Sequence, residues 1–422
     1  MTKNFHPSIL YISYDGMLEP LGQSQVLGYV EKLARDRPVH IVSFEKKVDR
    51  EDLSRMSAIR LRMAEAGLAW TPLAYHKAPS APATAYDIAV GTLIAILIAR
   101  RQKIGIVHAR SYVPALMALA VKRATGAKFI FDMRGFWADE RVDGGLWPPG
   151  GRLYRVTKAL ERRFLEAADH VVTLTRASMR EIERFNYLAD RMPPATVIPT
   201  CADLDRFCLQ TVDPARPFTF GYVGSVGTWY LFDETLEFFK ALTRRRPDAR
   251  MLIINRNEHA LIRAAVAKAD IEPARIEIVA AEHCEVPRLV ARMHAGAALI
   301  KPCYSKMSSA PTKLAEYLGC GVPCVGNVSV GDMEEVLEGN RVGVVLPGFS
   351  AAEIEVAADR LLALLAEPEL AARCIATARR LFSLDVGVAA YRAIYEHLAG
   401  GAAGSVQRVT RSNGPQEAAR EG

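Results

Sequence analysis

Short, unbroken apolar runs alternate with longer stretches of helical period along almost the whole of this 422-residue chain. The first run, Ser8-Ile9-Leu10-Tyr11-Ile12-Ser13, is short and continuous, as in a strand covered on both faces. A polar, glycine-bearing loop follows over 14–23, and Val26, Val30, Leu33 and Ala34 then recur at helical spacing from Ser24. The same pattern predicts strands at 39–44, 70–73, 104–108, 128–132, 170–174 and 196–198. Helices are predicted between them at 51–66, 87–100, 112–125, 153–167 and 178–187. Residues 133–151 read as a loop rich in Gly, Trp and Arg, and loops of that length tend to be functional. The stretches 199–207 and 213–217 read as a linker.

A second alternation begins at 218–223 and again runs into a glycine loop, Gly224-Ser225-Val226-Gly227-Thr228-Trp229. Strands are expected at 251–255, 275–279, 297–300, 322–325 and 342–345. Helices are expected at 232–243, 259–269, 286–291, 311–319, 332–337, 351–365, 368–381 and 388–398. Alternation of this kind predicts an α/β chain with two Rossmann-like, doubly wound parallel-sheet domains facing a cleft. The first domain is expected over 1–200 and the second over 201–387, with the helix at about 388–398 packing back on the first. The stretch 399–422 is almost devoid of apolar residues and is expected to be a disordered tail. Ligands of such sheets sit beyond the carboxyl ends of the strands, here the cleft between the domains.

Composition narrows the classes. Half the residues are apolar and 24% charged, a globular balance. The seven cysteines include no CxxC pair, which fits reduced thiols and no metal framework. The start leads directly into a strand, and the longest uncharged apolar run, 89–99, falls short of the roughly 20 residues of a spanning helix. A cytoplasmic protein with a buried helix at that run is therefore expected. Charge is uneven: residues 1–200 carry 29 Lys and Arg against 20 Asp and Glu, whereas the remainder is slightly acidic. A basic first half suits an anionic partner such as a membrane face, and equally suits simple solubility. The basic residues are dispersed and not interleaved with aromatics, so no nucleic-acid partner is expected.

The richest stretch is Ser308-Ser309-Ala310-Pro311-Thr312-Lys313-Leu314-Ala315-Glu316-Tyr317-Leu318-Gly319-Cys320-Gly321-Val322-Pro323. With Pro311 as the first helical residue, the cap falls on Ala310, which has no side chain to satisfy the early N–H groups. A free helix start is an anion site, and Lys313 in the first turn opposes the helix dipole unless an anion is there. Glu316, one turn on, could accept both hydroxyls of a ribose. Phosphate at the tip and a sugar diol beyond it describe a nucleotide; a surface helix with a solvated Lys and Glu is the plainer alternative. Neither glycine loop is a GxGxxG or a GxxxxGK[ST], so neither names a ligand by itself.

Two Rossmann-like halves with P-T-K-L-A-E-Y-L-G-C-G-V-P in the second resemble a family 4 retaining glycosyltransferase of the GT-B fold. Three further runs resemble a branch found in bacterial polysaccharide clusters: 15–25, 131–137 and 221–230. The resemblance implies donor binding by Gly22, Gly224, Ser225, Gly227, Thr228, Ser308, Ser309, Pro311, Thr312, Lys313 and Glu316. Glu316 matches the second Glu of the family's E-x7-E motif, and Ser308 stands in place of the first. Gly22 matches a loop glycine where a side chain would collide with donor phosphate or acceptor. The family's phosphate-binding Arg and Lys are replaced near Ser225 and Leu231, so Lys313, the helix start and Arg256 are expected to supply that charge. His108 reads as a packed strand-end histidine. Arg110, at the same strand end, is an active-site candidate, with Asp132 and Arg134 at the next; a mutual ion pair is the alternative for the last two.

The implied reaction moves a sugar from a UDP- or GDP-sugar to a hydroxyl of a lipid-linked or saccharide acceptor, with retention and without metal or other cofactor. Lys313 and Arg110 would supply electrostatics, and Asp132 or Arg134 acceptor orientation. A peripheral contact with the inner face of an anionic membrane is expected. Two other readings use the same scaffold: a sugar-nucleotide epimerase or hydrolase, and a non-catalytic nucleotide-sugar-binding subunit.

Overall fold

A computed structural model describes residues 7–211, 216–282 and 284–400. Seven parallel strands make the first sheet: β1 (Ile9–Ser13), β2 (Val39–Glu45), β3 (Ala69–Ala74), β4 (Ile106–Arg110), β5 (Lys128–Asp132), β6 (His170–Thr173) and β7 (Ala195–Val197). Their spatial order is β3-β2-β1-β4-β5-β6-β7. Six make the second: β8 (Thr219–Val223), β9 (Arg250–Ile254), β10 (Ile276–Val279), β11 (Ala295–Ala297), β12 (Cys324–Asn327) and β13 (Gly343–Leu346), in the order β10-β9-β8-β11-β12-β13. Each order reverses once, between β1 and β4 and between β8 and β11, and a crevice opens at such a switch point. Every strand pair is parallel. Helices cover both faces, so β1, β2 and β4 are buried end to end, and this is why they read as unbroken apolar runs. The half-exposed β3 is an edge, where Pro72 is tolerated.

The departures from expectation have local causes. The helix expected at 51–66 is two helices, Lys47–Glu51 and Leu53–Glu65, because the Asp52 side chain accepts from Arg55 N at 2.9 Å and caps the second. The helix expected from Ser24 opens earlier, at Pro20, and passes through a π-helical turn, Gln23–Leu27. The long loop after β5 contains a helix, Trp137–Asp143. The run expected to be a buried helix lies within Ser80–Arg101, and this expectation is corrected: only 22% of its apolar window is buried. By length and composition it is long and apolar enough to cross a membrane. Its buried stripe consists of the small residues Ala83, Gly91, Ala95 and Ala99 with Asp87; Ile88, Ile96 and Ile98 are partly buried beside it, and Tyr86, Leu93 and Leu97 are exposed.

The chain crosses between the domains twice, and the crossings lie side by side. Ala202 N donates to Phe382 O at 2.9 Å, and Leu384 N to Ala202 O at 3.0 Å. After the second crossing, helix Leu384–Leu398 packs into the first domain's core through Leu384, Val388, Tyr391, Ile394 and Tyr395. The expected tail lies outside the described residues from 401 onward.

Candidate active site

In the second domain, β8 ends at Val223 and is followed by Gly224, whose φ of +107° is open only to glycine at ordinary cost. The loop beyond is tied to the end of β9. Asn255 Nδ2 donates to Gly224 O at 2.9 Å and to Glu258 Oε2 at 2.8 Å. Glu258 also accepts from Val226 N at 3.0 Å and Ser225 Oγ at 2.9 Å. Burial would raise the Glu258 pKa, but these donors outweigh it and hold the carboxyl below its usual range. Ser225 is thus a fastener of the loop. Gly227 lies against the same carboxylate, and Thr228 has φ +55°. Asn255 and Glu258 were not expected at the site. An Asn at a strand end with a Glu three residues on is the signal that would have found them.

The helix Thr312–Gly319 begins one residue later than expected, with Pro311 at the cap, and no side chain caps it. Lys313 is 6% exposed. Its Nζ is 3.6 Å from where a Cβ on Gly224 would stand. It lies 4.0 Å from the Tyr230 ring centre and 4.5 Å from that of Tyr222, and has no hydrogen-bond partner among the described residues. Burial pushes its pKa down from 10.5 to about 8, with Cys324 and Glu316 acting against the fall. A buried ammonium packed against ring faces without a hydrogen-bond partner is under-satisfied, because aromatic quadrupoles replace only part of its lost hydration. Glu316 is buried one turn further along, while Ser309, Pro311 and Thr312 are half-buried beside the helix start.

Ser308 faces the other domain. Its Oγ donates to Ser305 O at 2.7 Å and accepts from Phe136 N at 3.2 Å, so it fastens the cleft. The same seam carries Lys306, which donates to Glu140 at 2.7 Å and lies 3.7 Å above the Trp229 ring, and Asp143, which accepts from Ser305 N at 2.9 Å. Arg256, expected to supply phosphate-binding charge, has a side chain that is 55% exposed and paired with Glu282 at 2.7 Å.

In the first domain, Arg110 and Asp132 are register partners at the ends of β4 and β5. Arg110 is 5% exposed and donates to Asp15 Oδ2 at 3.2 Å. Asp132 is fully buried. It accepts from Tyr391 OH at 2.9 Å and lies 3.6 Å from His108 Nε2 and 3.9 Å from Arg134 Nη1. Burial would raise its pKa, but Arg134, His108 and Arg110 outweigh that and hold the carboxyl low. The expected acceptor contact by Asp132 is corrected, since it has no exposed surface; it holds charge beneath Arg110 and Arg134. Arg134 is nearly buried at φ +59°, a backbone strain kept by its surroundings. His108 is packed, as its strand position suggested: its Nδ1 meets Tyr395 OH at 2.7 Å, and burial lowers its pKa. At Gly22 a Cβ would stand 2.0 Å from Gly16 O within its own loop, so the loop itself requires glycine there. Among the described residues no group of three or more His, Cys, Asp or Glu is placed to hold a metal ion.

Two strand-end clusters, one around Arg110 and one around Lys313, therefore lie at the carboxyl ends of two parallel sheets. A family model described as "Glycosyl transferase 4-like domain" matches residues 22–201, and one described as "Glycosyl transferases group 1" matches residues 210–381. The chain is built of two glycosyltransferase domains. Solved structures show the same architecture. Sucrose-phosphate synthase from Thermosynechococcus elongatus superimposes with a TM-score of 0.69 at 13% identity, over 93% of this chain and 99% of its own. A glycosyltransferase from Rickettsia africae does so with 0.65 at 14%, over 93% and 98%. Anabaena HepE in complex with UDP-glucose gives 0.62 at 13%, over 92% and 100%. These are GT-B glycosyltransferase neighbours, and the two parallel-sheet domains match them. No curated relative matches the chain in sequence.

Proposed function

We propose that this protein moves a hexosyl group from a UDP- or GDP-sugar to an acceptor hydroxyl with retention of configuration, in the synthesis of a cell-surface polysaccharide or glycolipid. The carrying observation is the buried Lys313 ammonium, which lacks a hydrogen-bond partner among the described residues and lies between the Gly224 turn and an uncapped helix start. An anionic diphosphate supplies what that ammonium lacks. The two glycosyltransferase domains and the UDP-glucose complex of HepE on the same fold support the reading.

As the bond from the anomeric carbon to the diphosphate oxygen breaks, negative charge grows on the leaving oxygen. Lys313 and the helix N–H groups stabilise it. That oxygen then takes the acceptor hydroxyl's proton while the acceptor oxygen bonds to the same face of the sugar. Glu316 holds the ribose diol, and Arg110 with Arg134 positions the acceptor across the seam. The rival acid/base chemistry of an epimerase is disfavoured, because its two available groups, Asp132 and His108, are buried against Tyr391 and Tyr395.

Thermal melts with UDP, GDP, ADP and dTDP test the reading, since a ligand that binds the native state raises its stability by mass action. One nucleotide is expected to shift the wild-type melt, and Glu316→Ala to lose about tenfold or more of that affinity. Unchanged affinity of Glu316→Ala for every nucleotide would sink the assignment.

A further inference from the structure

We propose that the outer face of helix Ser80–Arg101 is a docking surface for an anionic lipid bilayer. The helix is seated inside out. Its inward stripe is small, with Ala95 fully buried and Ala99 at 2% exposure. Gly91 shows why: a Cβ there would stand 2.7 Å from Met117 Sδ and 2.8 Å from Phe44 Cζ. Close seating on the sheet and on helix Tyr112–Thr125 leaves Tyr86, Leu93 and Leu97 outside, while Ile88, Ile96 and Ile98 pack partly against the core at the flanks. Tyr86 is 59% exposed, Leu93 61% and Leu97 41%, at helical spacing along one face. At 22 residues the helix is about 33 Å long, so this is a continuous apolar stripe rather than a scatter of single residues.

Charge identifies the occupant. The one acid of the helix, Asp87, is 1% exposed and turned inward, where it accepts from Tyr14 OH at 2.8 Å and meets His76 Nδ1 at 2.6 Å. The exposed ends carry only cations: Lys77 ahead of the helix, and Arg100, Arg101 and Lys103 at its close. None of these four forms an ion pair among the described residues. Two copies pairing antiparallel through this stripe would set Lys77 of each against Arg100, Arg101 and Lys103 of the other, like charge on like. A bilayer with anionic headgroups takes the apolar stripe and satisfies the cations at both ends. The surface also has a direction. Asp87 ties the leading end of the helix to Tyr14, in the loop that closes over the end of β1 at the cleft. A hydroxyl carried on a lipid at that bilayer would meet the molecule at its cleft end.

The test uses the full chain and sucrose-loaded vesicles of phosphatidylcholine, with and without phosphatidylglycerol, at low and physiological salt. Wild type is expected to sediment with the anionic vesicles, more strongly at low salt. Leu93→Glu with Leu97→Glu changes only exposed positions, and Arg100→Glu with Arg101→Glu removes the cations; each pair is expected to weaken vesicle binding about tenfold or more. Both variants are expected to keep the wild-type melting temperature and nucleotide response, so this result is separable from the fate of the donor-site reading. Failure of wild type to bind anionic vesicles at low salt overturns the proposal. So does binding that both variants retain in full, or a dimer in sedimentation velocity that Leu93→Glu dissociates while vesicles are ignored.

Discussion

Replacing Lys313 with Met separates a ligand-binding lysine from a structural one, because the two roles predict opposite signs. Met keeps the volume and apolar stem and removes the ammonium. At about 1.4 kcal/mol per tenfold change in proton affinity, the fall from 10.5 to about 8 represents roughly 3 kcal/mol of unfavourable burial. Contacts with the Tyr230 and Tyr222 rings, at 4.0 and 4.5 Å, return up to about 2 kcal/mol. The ligand-free protein therefore carries a net cost of roughly 1 kcal/mol at this position. Lys313→Met should leave the ligand-free melting temperature unchanged or raise it by about 2–4 °C. The same substitution removes a charge-assisted contact to the diphosphate worth about 1.5–3 kcal/mol, so nucleotide affinity should fall about 10- to 150-fold. Differential scanning fluorimetry with and without the nucleotide reads both effects. The pH dependence follows the same logic. Between pH 8 and 10.5 the unfolded chain holds a proton that the folded, ligand-free protein has released, so its stability rises with pH across that window. Nucleotide affinity runs the other way, falling as pH rises above about 8, and binding there should take up a proton. Calorimetry in buffers of different ionisation heat measures that uptake. A variant that melts several degrees lower and binds nucleotide as well as wild type would refute the reasoning.

Two other substitutions probe the supports of the site. Gly224→Ala meets no close atom, its Cβ lying 3.6 Å from Lys313 Nζ, so its cost of about 1–3 kcal/mol comes from φ +107° and should appear as a lower melting temperature together with weaker nucleotide binding. Tyr391→Phe removes the donor 2.9 Å from the fully buried Asp132 carboxylate, a loss of about 1.5–3 kcal/mol. Because the folded-state pKa of Asp132 is depressed, its stabilisation is lost as pH falls; the variant holds the carboxylate less firmly, so acid unfolding should begin at a higher pH than in wild type.

The chain by itself determined the two alternating halves, the glycine turns that end β1 and β8, and an uncapped helix start bearing Lys313 and Glu316. These are properties of neighbours in sequence, since period, capping and turn chemistry act over a few residues. What Lys313 faces, how Ser308 is used and where Arg256 goes were decided only in three dimensions. Lys313 meets rings some 80 to 90 positions away in the chain, at Tyr230 and Tyr222. Ser308 spends its hydroxyl on Phe136 in the other domain, and Arg256 turns to Glu282 at the surface. The apolar run at 89–99 shows the same limit, because its pattern marks it as apolar without saying which side meets the sheet. Contact of Gly91 with Met117 and Phe44 settles that, drawing the small residues in and turning Leu93 and Leu97 out. Periodicity reports the backbone. Which face is buried, and which charge is left without a partner, follows from packing between residues that the sequence holds far apart.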